Sequence, residues 1–122
     1  MDKVEILILR NLLYNEEYLR KVIPFIKSDY FEDPHQKIAF QEIEKFVTEY
    51  NKPATKEVLC IEVEKRQDIT DTSFTEVTKL ISYLEDVATD YDWLCDTTEK
   101  WCRDRAIYLA LMESIALADG KD

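Results

Sequence analysis

The sequence predicts an all-α protein: a compact bundle of about five to six helices followed by one long helix that protrudes from it. Three observations carry this. Apolar residues recur at three- and four-residue intervals through nearly the whole chain, which is the helical period. A single glycine, Gly120, occurs in 122 residues, so turns that need positive φ have little to build on. An unbroken stretch near the C-terminus is too long to fit inside the globule it belongs to.

The first helix spans about residues 3 to 14, where Val4, Ile6, Leu7, Leu9, Leu12 and Leu13 form a wide apolar stripe central to the core. Asn15 caps a second helix from Glu16 to about Val22, with Tyr18, Leu19 and Val22 on one face. The acidic Glu16 and Glu17 suit its positive end. Pro24 then breaks it or begins a new turn. Tyr30 and Phe31 form an apolar pair expected to pack under a loop.

A third helix over about 35 to 50 carries Ile38, Phe40, Ile43, Phe46, Val47 and Tyr50, and the Asn51-Lys52-Pro53 run ends it. Thr55 caps a fourth in which Val58, Leu59, Ile61 and Val63 face inward. The β-branched content there would also suit a strand, but a lone strand has no partner. Ser73 and Glu76 have capping-box spacing before Val77, Leu80, Ile81 and Leu84, which places a fifth helix to about Asp86.

From about Tyr91 to Leu117 nothing interrupts a helix, and Asp90 offers the cap. Its length of about 40 Å exceeds the roughly 35 Å diameter of a compact chain of this size. The helix therefore overhangs. Leu94, Trp101, Tyr108 and Ile115 recur every seven residues, with Met112 and Leu109 on adjoining positions. Asp96 with Lys100, and Glu99 with Arg103, have the order of favourable ion pairs one turn apart. The stripe of Leu94, Trp101, Tyr108, Met112 and Ile115 is the predicted interface. Its first half is expected to pack on the preceding helices and its second half on a partner.

Composition excludes several functions. Phosphate-cradling loops and dinucleotide-binding turns need glycines that the chain lacks. Sixteen Lys and Arg against 26 Asp and Glu give a net charge of -10, which disfavours direct nucleic-acid binding. Cys60, Cys95 and Cys102 show neither disulfide nor zinc spacing and read as reduced packing thiols. Basic leader residues are missing at the start and no apolar run reaches membrane-span length, so a soluble, cytoplasmic protein is expected.

The search for chemistry yields little. Glu32 and His35 have the spacing of carboxylate-bridged metal sites, but those need further carboxylates and normally a second histidine, and His35 is the only one. Asp90, Asp92 and Asp96 lack the glycine and terminal glutamate of a calcium loop. His35 with any cysteine has no supporting local signature. Adjacent acids such as Glu16-Glu17 or Glu85-Asp86 read as a solvated face. No catalytic, cofactor or metal residues are expected. A rival reading, an acidic DNA mimic that inhibits a basic partner, needs acids along one face, whereas Lys and Arg are interleaved through most helices.

Three stretches resemble the N-terminal domain of DnaB-type replicative helicases, in particular the T-even-like phage primase-helicase family. They are residues 9–26 continuing to Asp29-Tyr30-Phe31; Phe40 to Leu59 with Ile43, Tyr50 and Pro53; and Leu80 to Leu94 continuing through Thr98-Glu99-Lys100-Trp101 to Arg105-Ala106. The resemblance implies a globular collar domain over residues 1–90. Residues 91–122 would be the first helix of a dimerisation hairpin, truncated before its returning partner. It also implies a piece of a longer protein, whose collar assembles as a trimer of dimers and docks primase or a helicase loader. ATPase and unwinding activity would belong to a motor domain outside these residues.

Overall fold

The computed structural model describes residues 3–120, which form six α-helices and no strand. Helix α1 (Lys3–Tyr14) and α2 (Glu16–Val22) are joined at Asn15, whose side chain accepts a hydrogen bond from the Tyr18 amide. Two 3₁₀ turns follow, Ile23–Phe25 with Pro24 in its first positions, and Ser28–Tyr30. Helix α3 (Pro34–Tyr50) is capped by Asp33, which accepts from the amides of His35 and Gln36. It ends at Asn51, whose left-handed φ of 55° closes the C-terminus. Then come α4 (Lys56–Glu64), α5 (Asp71–Ser82) and α6 (Tyr91–Asp119).

The core forms where α3 packs on α1, α4 and α5, while α2 and α6 pack on α1 and on each other. Ile8, Leu9, Leu12, Tyr18, Leu19, Phe31, Phe40, Ile43, Leu59, Ile81, Leu84 and Leu94 are all fully buried. Burying one such side chain stabilises the fold by about 1.5–3 kcal/mol relative to exposure. Arg66 ties the end of α4 to α3: it donates to Glu42 Oε2 at 2.7 Å and to Gln41 Oε1 at 3.1 Å.

Four local expectations are corrected. The α5 cap is Thr70, whose hydroxyl accepts from the Ser73 amide, so Ser73 already lies within the helix and no Ser73–Glu76 box forms. That helix also stops at Ser82, not near Asp86. The amides of Tyr83 and Leu84 turn back onto the carbonyls of Leu80 and Ile81, which tucks Leu84 into the core without helix. Ile61 is 54% exposed, because it lies two residues from both Leu59 and Val63, about 200° around the helix from each. Lys100 pairs with Asp104 at 2.8 Å instead of with Asp96, whereas Glu99 and Arg103 do pair, at 3.6 Å.

The overhang is real. Helix α6 runs for 29 residues, about 43 Å. The protein exposes 7887 Å², against the roughly 6,900 Å² of a compact protein of this mass. From Ala106 to Gly120 every residue except Leu109 is exposed.

Candidate interaction surface

Helix α6 starts where Asp90 accepts from the Trp93 amide at 2.9 Å, and no proline interrupts it afterwards. Its proximal half is fastened to the globule at successive turns. Leu94 is fully buried. One turn on, the Thr98 and Tyr18 hydroxyls share a buried hydrogen bond of 2.6 Å. Burial also drives the Tyr18 phenol well above its ordinary range, so it stays protonated and able to donate. Trp101 packs against Phe31 with ring centroids 4.9 Å apart and planes tilted by 57°, meets Tyr30 edge-on at 5.9 Å, and donates its indole N–H to Glu5 at 3.2 Å. Tyr30 and Phe31 therefore pack beneath this helix and not under a loop as expected, because Trp101 lies against both rings.

Arg105 is the last anchor. Its Nε donates to the Tyr30 carbonyl at 2.6 Å, its Nη1 reaches Glu32 at 3.2 Å, and its guanidinium lies 4.9 Å from the Tyr108 ring centre. Beyond it the globule ends and the apolar residues continue. Ile107 (60% exposed), Tyr108 (48%), Leu111 (60%), Met112 (44%) and Ile115 (49%) are solvent-facing. At 100° per residue these five fall within an arc of about 140°. Leu117, also exposed, lies outside that arc. Large side chains gathered in one stripe differ from the scattered apolar residues that any surface carries.

The predicted interface residues are thereby divided. Tyr108, Met112 and Ile115 stand together on the free stripe. Leu94 and Trp101 spend their apolar surface inside the protein and leave little or none for a partner. Position along the axis explains the division: the last contact with the globule is at Arg105, so heptad positions before it are covered and those after it are bare. Ile107 and Leu111 were missed. Their four-residue spacing beside Tyr108 and Ile115 was the available signal.

The residues weighed for chemistry do not assemble. Glu32 is engaged by Arg105, while His35 sits 3.6 Å from Asp33 at the α3 cap. Among the described residues no group of three or more His, Cys, Asp or Glu could hold a metal. All three cysteines are free, and burial pushes the Cys102 thiol up to about 11 and raises Cys60 as well. Both are protonated at neutral pH and poor nucleophiles. Glu16 is bonded to Arg20 at 2.7 Å, as a solvated face implies.

Compared with known proteins, the chain is 33% identical over 111 residues, 91% of its length, to a DnaB-like replicative helicase of Enterobacteria phage T4. It spans 23% of that protein's length, a share consistent with one N-terminal domain. The resemblance drawn from the three stretches is shown by this match. No family model matches the chain.

Proposed function

We propose that these residues are a non-catalytic assembly domain of a phage replicative DNA helicase, whose long helix joins neighbouring subunits into a ring collar. On this reading, primase or a helicase loader docks on the globule during DNA replication, and the work is done in the host cytoplasm. The likeness to the phage helicase supports the helicase-related role. One observation supports the assembly role: five large apolar side chains form a stripe on the part of α6 that no other element covers.

A solvated stripe of this kind gains about 25 cal/mol for each Å² of apolar surface removed from water, so covering it by association is favourable. The residues that cover the proximal half show what the distal half lacks. Residues 1–90 would be the collar globule and residues 91–122 the assembly helix. No ATP-binding, DNA-binding, cofactor or metal role is assigned to them, and no helix here is long and apolar enough to cross a membrane.

Light scattering on the chain and on Tyr108→Asp and Ile115→Asp tests the assembly role. Both side chains are exposed, so neither substitution disturbs the core and circular dichroism stays unchanged. The unmodified chain is expected to form dimers or larger species with rising concentration, and each variant to remain monomeric. A chain that is strictly monomeric at high concentration and indifferent to both changes would overturn the proposal.

A further inference from the structure

A second surface, between α3 and α4, has chemistry that the assembly role does not use. Between the C-terminal half of α3 and helix α4 lies a hollow of about 220 Å³ lined by Glu42, Lys45, Phe46, Glu49, Tyr50, Val58 and Glu62. The Glu42 side chain is 4% exposed. Its Oε2 is bonded to Arg66, but its buried Oε1 has no hydrogen-bond partner. An unpaired carboxylate oxygen away from water is a costly arrangement, and such groups are ordinarily satisfied.

Lys45 does not satisfy it. Its ammonium lies 3.7 Å from Glu42 Oε1, too far for a hydrogen bond, and 3.4 Å from Glu62. Being 59% exposed, that side chain is free to swing aside. Glu62 is held below the usual carboxylate range by hydrogen bonds from Lys65 and Lys45, so it is ionised at neutral pH. The aromatic wall is Phe46 and Tyr50, with ring centroids 4.7 Å apart, and Tyr50 leaves 56% of its surface open.

We propose that this hollow receives an arginine side chain of a partner protein. The lining sets Glu42, Glu49 and Glu62 against Lys45. Arg66 and Lys65 already bond Glu42 Oε2 and Glu62 Oε2, so what the hollow offers a cation is the open Oε1 of Glu42, in a chain of net charge -10. A guanidinium carries donors in a planar fork that can serve Glu42 Oε1 and Glu62 together, and its flat face stacks on Tyr50. An ammonium has no such fork, and Lys45 already supplies one without completing Glu42. The inference is independent of the assembly role.

The test is an amide ¹⁵N–¹H titration of the full chain with N-acetyl-arginine N-methylamide, with the citrulline analogue as an uncharged control of the same shape. Saturating shifts are expected at residues 42–50 and 58–62 with the arginine compound and not with citrulline. Tyr50→Ala at the exposed rim and Glu62→Gln on the half-buried wall should each weaken binding roughly three- to tenfold. Glu85→Gln should leave it unchanged. Shifts spread equally over Glu16-Glu17 and Glu85-Asp86 would overturn the proposal, as would equal response to citrulline or unaltered affinity in both the Tyr50 and Glu62 variants.

Discussion

Tyr18 and Thr98 are 80 positions apart in the chain and share one buried hydrogen bond, which makes them the polar rivet between α2 and α6. Each is almost fully enclosed, at 0% and 2% exposure, so removing either partner strands the other. Tyr18→Phe and Thr98→Val are each expected to cost about 1–3 kcal/mol in urea denaturation, whereas the double variant should cost clearly less than the sum. Simple additivity would show that the two hydroxyls act separately. Neither partner was legible as a pair beforehand. Helical spacing put Tyr18 on a buried face, but nothing local to Thr98 marks it as the residue that faces it. Arg105 is similar: its neighbours in sequence gave no hint that it bonds the Tyr30 carbonyl.

Element boundaries were readable wherever a local signal had no competitor. Asn15, Thr55 and Asp90 each stood alone before an apolar run, and each accepts the amide hydrogen bond expected of a cap. At α5 three hydroxyl residues, Thr70, Thr72 and Ser73, competed, and Thr70 took the cap, with helix beginning at Asp71. The inward set of α4 was over-read, since a run of β-branched and aliphatic residues does not say which of them the neighbours cover. Termination of α3 was legible in Asn51-Lys52-Pro53, and its cause can be tested. Asn51 holds a left-handed conformation and also accepts from Arg20 through both its side chain and its carbonyl. Asn51→Ala is expected to cost about 1 kcal/mol more than Asn51→Gly in thermal unfolding, because both lose the side-chain bond and only alanine strains the backbone. Equal losses would assign the effect to Arg20 instead.

At the scale of the whole molecule, the overhang of α6 followed from one comparison, helix length against globule diameter, and so was legible without any knowledge of contacts. The azimuth of the exposed stripe was not, since it depends on which turns the globule claims. Leu94 and Trp101 continue the same heptad as Tyr108 and Ile115, yet they lie inside the fold. On the acidic surface, Lys and Arg are interleaved with carboxylates at several places, including the pairs at Arg20, Lys100 and Arg103. The molecule has a fastened half and a free half, and its assembly role rests on the free half. That claim is tested most directly by sedimentation equilibrium of two variants matched in chemistry and differing only in position. Leu111→Asp lies within the stripe and Leu117→Asp outside it, and the two leucines are exposed at 60% and 64%. Leu111→Asp is expected to abolish self-association while Leu117→Asp preserves it; equal behaviour of the two variants would contradict the assembly role.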